Sequence, residues 1–214
     1  MSLNPAVALF SALFFSLILS FSQIELFFII PVVFLIFLNS KDILKILKKI
    51  LFLNFFIVVL SIFFYFETNF IEALNLSFKI NLIILFNLLL FFSSNGFDIV
   101  KGFQILRFPK KFVSSLYFSV KLIFELNLEL RDIKTSLKAR NFKPKTDIFT
   151  YKTYGNIFGI LFLKTITKSN SLKESFILRG FKDEIFLNYN NSFKIFDFIL
   201  LTLLGFTFLL KVIL

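Results

Sequence analysis

The chain has 214 residues and contains neither cysteine nor histidine. The first absence excludes disulfides and thiol chemistry, and the second removes the commonest transition-metal ligand. A metal handled by this system would therefore be held by another subunit. There is no G-x-x-x-x-G-K-[ST] phosphate loop, so the chain has no visible energy source of its own. The N-terminus lacks a charged n-region and an Ala-x-Ala site, so the first apolar run reads as a span and not as a cleaved signal. An intramembrane enzyme would need a nucleophile with a base, or clustered carboxylates. The acids nearest the apolar runs, Glu25, Glu67 and Glu72, stand only at their ends. No catalytic site, cofactor or metal site is expected.

What the chain does hold is apolar surface. Hydrophobic residues make up 57% of it, 37 positions are Phe and the mean hydropathy is +0.86. A soluble domain is about half apolar and could not hide this much. Several runs approach the roughly 20 residues that cross a bilayer. The expected fold is an all-α, polytopic membrane protein with about five transmembrane helices. The formal charge of +11 could suggest nucleic acid. The lysines flank the apolar runs, however, as the positive-inside bias requires, and no nucleic-acid partner is expected.

The predicted spans are Leu3 to Phe21, Ile24 to Leu38 (with Pro31), Ile50 to Phe66, Leu76 to Phe92, and Phe193 to Leu214. Ala8, Ala12, Ser16 and Ser20 recur every four residues, a small-residue stripe suited to close helix contact within the chain or between subunits. Asn81 and Asn87 in the fourth span are expected to bridge helices, with substrate contact as the other reading. Lys79 stands near enough to the outer end to snorkel. Lys41 to Lys49 and the long polar stretch from Asp98 to Ser192 are placed on the cytoplasmic side, which puts the N-terminus there too. The domain organisation is then a membrane part over 1–93, a cytoplasmic coupling region over 94–192 and a last span over 193–214.

Within the polar stretch, Ser93-Ser94-Asn95-Gly96 signals a break, and Pro109 is expected in the first turn of a new helix. From Phe112 to Arg140 the pattern is helical. Lys121, Glu125, Glu129, Asp132, Ser136 and Arg140 form a polar stripe, and Leu116, Val120, Ile123, Leu126, Leu130, Ile133 and Leu137 form an apolar face. A second amphipathic segment runs from about Ile157 to Arg179, with a break expected near Ser169-Asn170-Ser171. Lys164, Lys168, Ser171, Ser175 and Arg179 fall on one side of it. The charges in both segments argue that they lie along or below the membrane surface.

Each segment ends in the same short pattern. Ser136-Leu137-Lys138-Ala139-Arg140-Asn141-Phe142-Lys143 and Ser175-Phe176-Ile177-Leu178-Arg179-Gly180-Phe181-Lys182 share Ser, Arg, Phe and Lys at an offset of 39 residues. Asn141 and Gly180 tolerate the left-handed conformation that ends a helix, and Pro144 cannot continue one. A cation in the last turn is favoured by the helix dipole. Dipole complementarity accepts Lys as readily as Arg, and it asks for neither the preceding Ser nor the following aromatic. Arginine's rigid fork suits bidentate carboxylate binding. Two such tips suit a partner with two equivalent grooves, and a dimeric ATPase would supply the missing energy source.

The chain resembles the transmembrane T component of energy-coupling factor (ECF) transporters, the group that includes the cobalt-type Q proteins. The resemblance covers most of its length. It rests on the greasy spans with an early Asn4-Pro5, and on Leu106-Arg107-Phe108-Pro109, similar to a Leu-Gly-x-Pro turn. It rests most on two Ala-Arg-Gly-like motifs, here Ala139-Arg140-Asn141 and Leu178-Arg179-Gly180. The resemblance implies a non-catalytic coupling subunit of an ABC importer in the cell membrane. Its partners would be two ABC ATPase subunits and a membrane-embedded substrate-binding S component, with vitamins, cobalt or nickel as cargo. Arg140 and Arg179, with Ser136, Ala139, Asn141, Ser175 and Gly180, would dock on the ATPases. The face of Leu126, Leu130, Ile133 and Leu137 would meet the S component. Two other readings stand beside it. One is a membrane scaffold whose basic helices bind anionic lipid or a partner protein, in which lysine would serve as well as arginine. The other is an ordinary ABC permease, which carries one coupling helix per half.

Overall fold

A computed structural model describes residues 3–182, 184, 185, 187 and 193–213. The end of the expected coupling region (188–192) and residue 214 of the last span lie outside them. Among the described residues all regular structure is helical: α1 (Pro5–Ser20), α2 (Ile29–Leu38), α3 (Ile43–Glu67), α4 (Phe70–Phe91), α5 (Gly96–Ile105), α6 (Lys110–Ala139), α7 (Ile148–Leu178) and α8 (Ile195–Ile213). The protein is all-α and polytopic. It divides into two compact units, Met1–Leu106 with Asn188–Leu214, and Arg107–Leu187.

In the first unit, α3, α4 and α8 are long and apolar enough to cross a membrane. The expected first two spans take shorter form. Helix α1 has 16 residues and so rises about 24 Å, less than the roughly 30 Å hydrocarbon core. Helix α2 has 10 residues, preceded by a 3₁₀ turn over Leu26–Phe28. Pro31 falls in the first turn of α2, where its missing N–H would have had no intrahelical partner. The lysine-rich segment before the third span is itself helix. Helix α3 starts at Ile43, just after a 3₁₀ turn in which Asp42 takes Lys45 at 2.8 Å. Lys49 Nζ then lies 4.8 Å from the centre of the Phe92 ring.

Helix α1 is the organising element of this unit. Phe15 is buried in a stack on Phe86 at 4.1 Å and meets the edge of Phe28 at 6.5 Å. The small-residue stripe is used within the chain: Ala8 and Ala12 are buried, Ser16 Oγ accepts from Asn87 Nδ2 at 3.1 Å, and the Ser20 carbonyl accepts from Lys79 Nζ at 3.2 Å. Asn87 thus bridges α4 and α1 as expected. Asn81 instead donates to Ser77 in its own helix, and Asn39 makes the other bridge, from the end of α2 to the Leu89 carbonyl. Helix α5 approaches α1 so closely that a Cβ on Gly102 would stand 2.5 Å from Leu9 Cδ1 and 2.8 Å from the Pro5 carbonyl oxygen.

The start of α1 is tied to α8. Asn4 caps α1 by accepting from Ala6 N at 3.0 Å. Its own backbone N–H donates to Asp197 Oδ1 at 2.8 Å, and Asp197 Oδ2 accepts from Lys194 N at 2.8 Å. Asp197 is fully buried. Both its oxygens are therefore occupied by backbone donors that would otherwise be left unsatisfied in an apolar surrounding. In contrast, Phe52, Phe63 and Phe66 of α3 are 70–80% exposed, an outward apolar face of the kind that meets lipid.

Candidate functional site

The second unit is built from α6 and α7. Pro109 stands at the N-cap of α6, with its φ already near the helical value. Asp147 caps α7, its carboxylate accepting from Thr150 N at 2.8 Å, and the Thr150 hydroxyl, then its amide, hold the Asp147 pKa below the usual value. Helix α7 runs unbroken through Ser169-Asn170-Ser171, where a break was expected. No Gly or Pro interrupts it there, and Ser171 Oγ turns back to the Thr167 carbonyl at 3.0 Å.

The two helices run antiparallel. Phe118 near the start of α6 meets Phe176 at 4.9 Å and Phe181 at 5.8 Å, at the far end of α7. Lys110 pairs with Glu184 at 2.6 Å at the same end. Farther along, Glu125 pairs with Lys168 at 3.3 Å, and Glu129 with Lys168 at 2.7 Å and Lys164 at 3.4 Å. The polar stripes identified in the sequence thus face each other at the crossing, a pairing that sequence reasoning did not find. The hydrogen bond from Lys168 holds Glu129 below the usual carboxyl range, and the same bond raises Lys168 above its ordinary value.

Both helices end alike. In α6, Asn141 N donates to the Lys138 carbonyl at 2.9 Å and Phe142 N to the Leu137 carbonyl at 3.0 Å. In α7, Gly180 N donates to Ile177 at 3.0 Å and Phe181 N to Phe176 at 3.0 Å. Each is a Schellman cap, with Asn141 at φ 59° and Gly180 at φ 69°. The cap also explains the aromatic of the repeated pattern. A residue in that position packs back on the last turn, as Phe181 does on Phe176 at 5.3 Å. Dipole complementarity alone gave no reason for this aromatic; helix termination gives one for Phe181, whereas the Phe142 ring lies against Phe149 and Tyr154 at 6.2 and 6.4 Å.

The arginine is the member of the pattern that the cap does not need. Arg140 and Arg179 occupy the C-cap positions, donating their backbone N–H to the carbonyls of Ser136 and Ser175 at 3.1 and 3.2 Å. Both are exposed, and among the described residues neither guanidinium has a hydrogen bond or ion pair. Ala139, Asn141 and Gly180 are exposed beside them. Because the helices are antiparallel, the two arginines sit at opposite ends of the crossed pair. Of the apolar face, Leu126, Leu130, Ile133 and Leu137 are each half-buried. Ile133 and Leu137 share a groove with Glu129, Asp132, Arg140 and Lys164, so the apolar and polar rows merge at this end of α6. Among the described residues no group of acidic side chains is arranged to hold a metal ion.

Fold and site together define a polytopic, all-α membrane protein that presents two matched helix ends. The chain belongs to the CbiQ family, cobalt transport protein, whose family model matches residues 1–186. That family is one of transport components. No curated protein matches the chain.

Proposed function

We propose that this chain is the transmembrane coupling subunit of an ECF-type ABC importer in the cell membrane, with its N-terminus cytoplasmic. Arg140 and Arg179 dock on two cytoplasmic ABC ATPase subunits. The face of Leu126, Leu130, Ile133 and Leu137 bears on a membrane-embedded S component that carries a vitamin, cobalt or nickel. Closure of the ATPases on ATP moves the two helix ends, and the helices pass that motion to the S component. The observation that carries this reading is the pair of identically capped, exposed arginines whose guanidinium groups have no partner among the described residues. A guanidinium held on a rigid cap keeps its fork free for a carboxylate on another protein.

The test is co-purification and uptake after Arg140→Glu and Arg179→Glu, each alone. Losing a hydrogen bond to a charged group costs about 1.5–3 kcal/mol, or roughly a 10- to 100-fold loss of ATPase affinity. Transport should collapse while membrane insertion is kept. Arg→Lys at both positions separates this from lipid binding: a lipid binder keeps its affinity for anionic vesicles, whereas a coupler loses uptake. Full uptake in both single Glu variants would rule the reading out.

A further inference from the structure

The ion pairs between α6 and α7 obey the same 39-residue offset as the capped arginines. Glu129 plus 39 is Lys168, and Glu125 plus 39 is Lys164. If a two-fold axis related the helices, the Glu125–Lys168 contact would map onto Lys164–Glu129, and Glu129–Lys168 would map onto itself. All three contacts exist, at 3.3, 3.4 and 2.7 Å. The shortest is the one that lies on the axis. Arg140 and Arg179 stand eleven residues beyond Glu129 and Lys168 respectively, about 16 Å along each helix. The aromatic contact of Phe118 with Phe176 and Phe181 has apolar counterparts at the related positions, Ile157, Leu137 and Phe142. The helix pair is therefore pseudo-symmetric about the Glu129–Lys168 contact, with acids on α6 where α7 has bases.

We infer that Glu125, Glu129, Lys164 and Lys168 form the pivot of the crossed helices, positioning residues that set the spacing of the two arginine ends. The role in coupling rests on the reading proposed above; the geometric role does not. The Glu129 side chain is 19% exposed and that of Lys168 36%, so the central pair is screened by solvent less than a fully surface pair would be. Helices of 30 and 31 residues that are joined by ion pairs at this cluster and by the Phe118–Phe176 ring contact toward one end can change their crossing angle about the cluster as those rings slide. The reversed charges also make the crossing heterotypic. Two α6 helices would set Glu against Glu and two α7 helices Lys against Lys, so a single copy supplies both arms.

The absence of native cysteine allows a direct test. Spin labels at T135C and E174C, exposed positions related by the same offset, report the spacing of the arms in the purified full chain. In the parent background one narrow distance is expected. E129K sets three cations together and should shift the mean and broaden the distribution roughly twofold or more. The fourfold reversal E125K/E129K/K164E/K168E should restore the narrow distance. Salt at about 1 M should broaden the parent without any substitution, which covers the case that E129K does not fold. In the assembled transporter, E129K should keep ATPase co-purification, because both arginines remain, but lose uptake per ATP hydrolysed; the fourfold reversal should regain it.

Distances unmoved by both E129K and salt would overturn the pivot. So would unchanged uptake per ATP in E129K. If no ATPase travels with the parent chain, the functional reading fails, while the distance measurement still decides the geometry.

Discussion

The helices around α1 and the α6–α7 pair are held together by different forces. Around α1 the contacts are shape: Gly102 against Leu9 and Pro5, Phe15 on Phe86, and a stripe of Ala and Ser. Lipid tails are as apolar as leucine, so burial of apolar surface gives little drive for such helices to associate, and close fit must do it. Between α6 and α7 the contacts are ion pairs at the crossing and a cluster of aromatic edges toward one end. Close-packed shapes have few alternative arrangements, whereas ion pairs on long side chains hold over a range of angles. The lesson is a division of labour: one unit is built to keep its geometry and the other to vary it about a fixed point.

Three measurements bear on that contrast. The largest effect is expected for Gly102→Ala. The new Cβ would stand 2.8 Å from a backbone oxygen that no rotamer change can move, and overpacking of this kind costs about 1–3 kcal/mol. It should lower resistance to SDS unfolding in detergent while the α6–α7 label distance stays as it was. A change in both would mean that the two units do not hold their shape independently.

Acid should produce the next largest effect, and the reverse selectivity. Glu129 has a folded-state pKa below its ordinary 4.5, so its stabilisation is present above 4.5 and is lost as pH falls through the depressed value. Lys168 is raised above 10.5, so its contribution is intact below that and lost only at more alkaline pH. The charged groups facing the pair are Glu125 and Lys164, with Asp132 and Arg140 lining the adjoining groove. The label distance should therefore stay narrow from about pH 5 to 10 and broaden well below 4.5, with Phe15–Phe86 packing unaffected. Broadening already at pH 6 would contradict the ion-pair origin of the crossing.

The smallest effect is expected for Asn141→Gly. Asn pays some cost at φ 59° that glycine does not, so the cap of α6 should gain a few tenths of a kcal/mol. Slower amide exchange over the last turn of α6 is the expected result, and unchanged or faster exchange would contradict it. Loss of transport would show that the Asn141 side chain has a role outside the cap.

The features legible in the sequence were the local ones. Asn141, Gly180 and Pro109 announce helix ends because cap geometry depends on a few adjacent residues. The stripe of Ala8 to Ser20 and the bridging Asn87 could be read because small and amide side chains have few uses inside a span. What escaped depended on which faces meet. The Glu125 and Glu129 stripe was legible as a polar row, but the α7 face it meets was not, although the shared offset of 39 residues is visible in the arginine motifs. Ser169-Asn170-Ser171 looked like a break because these residues favour turns, yet serine side chains can bond the preceding turn and let a long helix pass. The lysines at 45, 48 and 49 fall outside the predicted third span, yet they belong to the same helix, because lysine is a good helix former and its stem lies along an apolar surface. Asp197 went unnoticed because its partner is 193 residues away.

That last contact has a bearing on biosynthesis. The first helix is capped at once by Asn4, but the Asn4 amide finds its acceptor only after Asp197 has been made. At about 5–20 residues per second a ribosome needs roughly 10–40 s to cover that stretch. Through this interval the opening turn must borrow water, lipid headgroups or an insertase as a temporary acceptor. The bundle around α1 is thus sealed only once α8 has emerged, and a nascent chain stalled before α8 would be left ajar.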